Sequence, residues 1–444
     1  MRSIRYSLLT LGMMSVLFSC KTKLEQAPVD AGSADFSRYV AVGNSLTAGM
    51  ADGALYLSGQ QQSYPVMLSE QFKLAGGGEF KVPWMDAGAG NDGSGGPRRI
   101  LGLVAPCNST TPALSPISDP AGGTALGNVS GQGPFNLVGV PGIRAIDANF
   151  GLYSLLNPFI NRFCQSPGTS TLLSEAMRVN ATFFTLWLGS NDALGYATGG
   201  AVPPSGLLGA SLSDPTQVKA NIQQMVDSLT KNGAKGMIAN IPDVTSIPYF
   251  TTVPWNAANL SQGKADSLNA AYAGLGMSHI TWSAGANGLV IVDSMAPGFR
   301  RHATANDLIL IVTPGDSLRC GQWGTHPGKP LADRYVLDQA EVAQIQTAIA
   351  AYNAGIAEIA AAKGLALADM NTYLKTFKSG FVYNGVTMNA SFVTGGAFSL
   401  DGIHCTPRGY ALIANVFIRA INATYGSTLP EVDVTKYPGV LFPK

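Results

Sequence analysis

Charge is scarce in this chain. Lys, Arg, Asp and Glu make up 12% of its 444 residues, against about 25% in ordinary soluble domains. The formal net charge is +1, so the broad basic surface that tracks a nucleic-acid backbone is excluded. Histidine is limited to four residues and cysteine to five. No pair of cysteines has the close spacing of a zinc site. No stretch reaches the roughly 20 apolar residues that a spanning helix needs, and no internal repeat is visible. Glycine, by contrast, is abundant at 52 residues, and 46% of the chain is hydrophobic. Those figures exclude general disorder and imply a folded core with much loop around it.

The first residues read as an export signal. Arg2 and Arg5 precede an apolar run from Leu8 to Phe18 that ends at Ser19-Cys20. A basic start, a short apolar stretch and a small residue before the cut are its marks. Leu17-Phe18-Ser19-Cys20 resembles a bacterial lipobox, in which Cys20 carries the lipid; the plainer alternative is a signal peptide cut elsewhere. Residues 21–35 read as a polar tether. The other cysteines are Cys107, Cys164, Cys320 and Cys405. In an oxidising compartment they permit two disulfides, and the sequence does not choose among the three pairings.

Beyond the tether, strand and helix signals alternate. Tyr39 to Val42 is a short apolar run closed by Gly43-Asn44. Phe135 to Val140, Thr182 to Leu188, Gly236 to Ile241 and Leu365 to Ala368 are further strand candidates. Helical periods run from Ser63 to Leu74, Leu172 to Val179, Val218 to Leu229, Ala340 to Ala362 and Pro407 to Ile421. Asn384-Gly385 between alternating residues signals a hairpin. Such alternation predicts an α/β fold with a parallel sheet and helices on both faces. Sites in these sheets form beyond the carboxyl ends of the strands. The Gly- and Pro-rich stretch 86–134 is too long for an ordinary connection and reads as an insertion.

Several residues at strand ends can carry chemistry. Ser45 sits on a tight Gly43-Asn44-Ser45 turn after a strand. Asp401 precedes His404 by three residues, so its carboxylate can meet Nδ1 and fix the tautomer. Gly189-Ser190-Asn191-Asp192 closes another strand and offers an amide donor. Val140-Pro141-Gly142 offers a close backbone N–H. Taken alone, the Ser45, Asn191 and Gly142 pieces are also ordinary turns, and the Asp401–His404 pair is also a surface carboxylate with a satisfied histidine. His279, His302 and His326 lack a comparable carboxylate and read as structural or surface residues.

Together the pieces resemble the SGNH/GDSL hydrolase family, whose four blocks carry Ser, Gly, Asn and His in that order. Here they are Val42 through Thr47, Asn136 through Gly142, Gly189 through Asp192 and Asp401 through His404. Ile241-Pro242-Asp243 with Pro248 is similar to another family stretch. Asn44 stands where the family usually has Asp. The second block holds one residue more than usual, which sets Gly142 against Gly139 for its glycine.

The resemblance implies a three-layer α/β/α sandwich, flavodoxin-like, with no metal and no cofactor. It implies a serine ester hydrolase with Ser45, Asp401 and His404 as catalytic residues. The backbone N–H groups of Ser45 and Gly142 and the Asn191 amide would form the oxyanion hole. The expected partners are an ester substrate, acyl lipid or acylated carbohydrate, and a membrane through a lipid on Cys20; nucleic acid is not expected. The expected location is the cell envelope. The different class to weigh is a catalytically silent surface-binding lipoprotein on the same fold. The expected layout is a signal in 1–20, the tether, and one domain over 36–444. Insertions near 86–134, 296–336 and 371–398 are expected to wall the site.

Overall fold

The computed structural model describes residues 28–202 and 211–443; Cys20 and the expected signal segment lie outside them. Five strands form one sheet: β1 (Tyr39–Gly43), β2 (Leu137–Gly139), β3 (Phe183–Trp187), β4 (Lys235–Ala239) and β5 (Ala366–Ala368). Their order is β2-β1-β3-β4-β5, and every pairing is parallel. This is the flavodoxin-like order, whose direction of winding reverses between β1 and β3. The strands are short, and β1, β2 and β3 are buried throughout, as a sheet covered on both faces requires; β4 and β5 each carry one less buried residue, Lys235 and Leu367.

Seven helices matter for the site: α1 (Ser45–Ala48), α2 (Tyr64–Lys73), α3 (Leu172–Met177), α4 (Asn191–Thr198), α5 (Pro215–Thr230), α6 (Gln339–Lys363) and α7 (Pro407–Tyr425). Their ends follow local chemistry. The Asp214 side chain caps α5 just before Pro215, and Asp338 with Glu341 forms a capping box on α6. Left-handed Gly364 and Gly426 close α6 and α7. Ser63 precedes α2 as expected, but its hydroxyl makes no capping bond and is buried with no partner among the described residues.

Residues alternate between the two faces of each strand. Tyr39 on β1 meets Phe72 of α2, while Phe183 and Trp187 on β3 meet Tyr425 and Phe417 of α7. Val40, Val42, Phe184 and Leu186 therefore point to the opposite layer, where α3, α5 and α6 lie. The expected sandwich is thus present.

The insertions are larger than the sequence suggests. Residues 86–134 contain an antiparallel hairpin, Arg99–Val104 with Ala113–Ser118. A disulfide, Cys107–Cys320, ties that hairpin to a distant loop; Cys164 and Cys405 are free and buried. The insertion expected near 296–336 begins earlier. Ala258, Tyr272, Trp282, Ile291 and Val336 belong to a second hydrophobic core of its own. In the 371–398 region the Asn384-Gly385 turn joins Phe381–Tyr383 to Val386–Met388, with both turn residues at positive φ.

The tether is shorter than expected. Residues from 28 onward are bound: Ser33 N–H donates to the Tyr425 carbonyl and Thr428 N–H to that of Asp30, and Lys235 Nζ donates to the Ser33 carbonyl. Phe36 is fully buried. These contacts lie at the amino edge of the sheet, at the start of β4 and the end of α7. No helix among the described residues is long and apolar enough to cross a membrane.

The opposite, carboxyl edge is levelled by Gly43. It pairs with Gly139 on one side and Trp187 on the other, so β1, β2 and β3 end together. A Cβ at Gly43 would stand 2.0 Å from Thr47 Oγ1 and 2.7 Å from the Trp187 carbonyl oxygen. Backbone on one side and a buried helix on the other leave no room to shift. Gly43→Ala should therefore destabilise the fold by about 1–3 kcal/mol, the usual effect of overpacking. Chemical denaturation measures this, and an unchanged unfolding midpoint would contradict the close packing described.

Candidate active site

Ser45 is the first residue of α1, directly after the Gly43 end of β1. The Asn44 side chain caps this short helix by accepting from Leu46 N–H at 3.0 Å. Asn and Asp serve equally well as caps, so Asn44 keeps the turn without placing a buried charge beside the serine. Thr47 Oγ1 and Tyr64 Oη are 2.7 Å apart, and Tyr410 Oη donates to the Met50 carbonyl at 2.6 Å. These bonds fix the helix and the segment that follows it.

His404 lies on the loop that leads into α7. Its Nε2 is 2.8 Å from Ser45 Oγ, and its Nδ1 is 2.6 Å from Asp401 Oδ2. All three residues are buried. Asp401 also accepts from the backbone N–H groups of Ile403 and His404, each at 2.8 Å. Two further donors are Ser399 Oγ at 3.1 Å and Gly53 N–H at 2.8 Å. Burial alone would raise the Asp401 pKa. The facing imidazole and these hydrogen bonds outweigh it and hold the carboxyl well below the usual range. An ionised Asp401 keeps the proton on Nδ1, which leaves Nε2 as acceptor toward the serine hydroxyl.

The second block forms a type II turn. Ile143 N–H closes it on the Val140 carbonyl, with Pro141 at the second position and Gly142 at the third, φ +83°. The Asn157 amide donates to the Pro141 carbonyl at 2.8 Å. A trans peptide points its C=O and N–H in opposite directions, so this bond turns the Gly142 N–H away from Asn157. Gly142 lines the serine pocket. Gly139 does not: it is a β2 residue pressed against the α1 backbone. Of the two glycines, Gly142 is thus the one beside Ser45 in the pocket. Asn136 holds β1 instead, donating to the Tyr39 carbonyl at 2.7 Å.

Asn191 opens α4 and lines the same pocket. One of its amide hydrogens bonds the Ile143 carbonyl at 2.9 Å, leaving the other for a ligand. Asp192, next in the chain, is fully buried and accepts from Ala145 N–H at 2.6 Å. Burial pushes its carboxyl up to about 6 against that hydrogen bond. Asn191 and Asp192 thus clamp the 143–146 segment from one side while Asn157 holds Pro141 from the other. Neither the Ser45 nor the Gly142 N–H bonds another backbone group among the described residues.

The pocket has a volume of about 340 Å³. Its apolar wall comprises Met50, Tyr153, Phe159, Leu194 and Ile403, and its polar wall Asp92, Arg144 and Asp147. Arg144 and Asp147 form an ion pair at 2.8 Å. The walls correct one expectation. Among the described lining residues only Asp92 comes from the three expected insertions, whereas the 141–159 segment supplies six. Phe150, Leu152, Leu155 and Leu156 of that segment are exposed around Tyr153. Sequence reading passed over Tyr153, Asn157 and Phe159, and the cluster of bulky apolar residues from 150 to 160 was the signal for them.

The remaining histidines lie elsewhere. His302 has both ring nitrogens against backbone carbonyls, those of Gly288 and Thr281. His326 Nδ1 accepts from Gly328 N–H. The Ile241-Pro242-Asp243 stretch serves to position the histidine loop. Asp243 caps the turn after β4, and Tyr249 N–H then donates to the Gly402 carbonyl beside His404 at 3.0 Å.

Comparison with known proteins bears on this arrangement of blocks. Two solved structures are similar to the chain at low identity. One is a lipase/acylhydrolase from Enterococcus faecalis, 12% identical, covering 89% of this chain and 98% of its own, TM-score 0.33. The other is an extracellular lipase from Streptomyces rimosus, 13% identical, covering 87% and 98%, TM-score 0.32. No curated protein matches the sequence. The family model for GDSL-like lipase/acylhydrolase matches residues 39–417, from the first strand into the last helix. The chain belongs to the GDSL-like lipase/acylhydrolase family.

Proposed function

We propose that this protein hydrolyses carboxylic esters through an acyl-enzyme on Ser45. The observation that carries the reading is the aligned series Ser45 Oγ, His404 and Asp401, at 2.8 and 2.6 Å. His404 takes the serine proton as Oγ attacks the ester carbonyl. The negative charge on the carbonyl oxygen meets the N–H groups of Ser45 and Gly142 and the second Asn191 amide hydrogen. His404 then gives its proton to the departing alcohol. Water attacks the acyl-enzyme with His404 again as base. The acyl part fits the apolar wall formed by Tyr153, Phe159 and Leu194.

We also propose export and anchoring in the cell envelope through a lipid on Cys20. The Cys107–Cys320 disulfide supports an oxidising compartment. Cys20→Ala should release the protein from the membrane fraction or block its processing. A variant of normal size that still sediments fully with membranes would refute the anchor.

Ser45→Ala and His404→Ala should each remove nearly all esterase activity, and the double variant should be hardly worse, because groups acting as one unit are strongly non-additive. The acid side of the pH profile follows from Asp401. A carboxylate with a lowered pKa stays charged until the pH falls well below the ordinary carboxylate range. Asp401 should therefore add no step of its own to the acid fall of kcat/KM within the ordinary carboxylate range, whereas Asp192, its carboxyl pushed up to about 6, adds one through the 143–146 segment. Activity that rises toward acid, or a step near the ordinary carboxylate pKa of about 4 that persists in Asp192→Asn, would rule out these roles.

Asn191→Ala should lower kcat by about 10²–10³ with a much smaller change in KM, the usual loss for one oxyanion donor. Asn157→Ala should show the same kcat-weighted pattern to a lesser degree, since it acts through the Gly142 peptide. Steady-state kinetics on a short-chain ester, with circular dichroism to confirm folding, decides both. A folded Asn191→Ala enzyme within a few-fold of the parent kcat would remove Asn191 from the hole.

A further inference from the structure

A second and larger cavity opens on the same edge of the sheet, beyond the ends of β4 and β5. Its volume is about 1270 Å³, more than three times that of the serine pocket. The walls come from the turn after β4, the start of α6, and two insertions. One turn separates the cavities. Ser246 and Thr251 line the large one, while between them Tyr249 N–H bonds the Gly402 carbonyl. Tyr249 Oη also donates to the carbonyl of Thr198, a residue of the serine pocket, at 3.3 Å.

The lining limits what can bind. Asp243 and Lys378 are the only charged residues among the described ones that line it. A phosphate-rich or polyanionic ligand would need a cluster of cations there. An acyl chain would need a continuous apolar wall, and here the hydroxyls and amides of Thr245, Ser246, Thr251, Gln346 and Asn389 stand among the apolar side chains. Those groups are fixed in place. Gln346 Nε2 donates to Asp243 Oδ2 at 3.0 Å and to Thr245 Oγ1 at 3.2 Å, which turns the Gln346 carbonyl oxygen outward as an acceptor. Asn389 Oδ1 accepts from Ser391 N–H at 2.8 Å, which leaves its NH₂ as a donor. The half-buried Phe381 and Phe392 add ring surface. Oriented neutral donors and acceptors beside aromatic rings match a ligand with many hydroxyls on an apolar ring frame.

We infer that this cleft binds the neutral oligosaccharide portion of an O-acylated glycan, whose ester reaches Ser45 across the Tyr249 turn. The inference rests on the proposed esterase reading for its second half; glycan binding stands apart from it. Hydrolysis here is the serine cycle already described: the glycan hydroxyl leaves with the proton from His404, and water restores Ser45 with release of the acid.

The test uses the full chain as Ser45→Ala, titrated calorimetrically with xylotetraose, cellotetraose and mannotetraose. At least one should bind, and adding Gln346→Ala or Asn389→Ala should weaken it about tenfold, the effect of losing a well-placed hydrogen bond. Gln346 lies on the exposed face of α6, where alanine favours the helix; circular dichroism verifies folding. With Ser45 intact, the ratio of kcat/KM on the acetylated tetrasaccharide to that on a small aryl acetate should fall by a similar factor in the same variants. No binding by any of the three sugars, or equal binding by parent and variants, overturns the inference. An aryl acetate left unhydrolysed defeats the esterase reading instead, while the calorimetry still judges the cleft.

Discussion

Asp401 is a carboxylate sealed inside the protein, and much of the site exists to keep it there. A buried charge is expensive unless hydrogen bonds surround it. Here the donors come from its own loop, at Ser399, Ile403 and His404, and from Gly53, far away in sequence. Asp52 repeats the link in reverse: its N–H donates to Ser399 Oγ and its Oδ1 accepts from Leu400 N–H. The loop before the last helix is thus sewn to the turn after the first. That seam sets the distance between histidine and serine, because one residue of the pair sits on each side of it. Removing the carboxylate would free the imidazole tautomer and loosen the seam in one step.

The proposed anion-binding side is built on a different plan. Its donors belong to three chain segments that the level strand ends deliver to one place. Two of them need an outside hold. The Gly142 peptide is oriented by Asn157, and the segment after it is drawn toward α4 by Asp192 and Asn191. Such fixed donors cost little reorganisation when charge appears on a substrate oxygen, which is what makes them effective.

The sequence showed the sheet well because parallel strands buried on both faces leave unbroken apolar runs. It showed Ser45, Asn191, Asp401 and His404 because each sits within a short block at a strand end or a helix start. The spacing in the second block was ambiguous, since a chain position does not tell which way a peptide faces; the Asn157 bond to Pro141 does. The second core around Trp282 and Ile291 went unseen for another reason. Its strands are two or three residues long, too short to show any period. The tether was read too long because Asp30 and Ser33 are polar, yet they bind through backbone groups that composition does not reveal.

That bound segment gives the molecule two poles. Residues 28–36 leave the body at the amino edge of the sheet, against Tyr425 and Lys235, and both cavities open at the other edge. An attachment upstream of residue 28 would hold the protein by its back, with the catalytic mouth turned away from the support. Material in the surrounding medium would then have a shorter route to Ser45 than molecules embedded in the supporting layer itself.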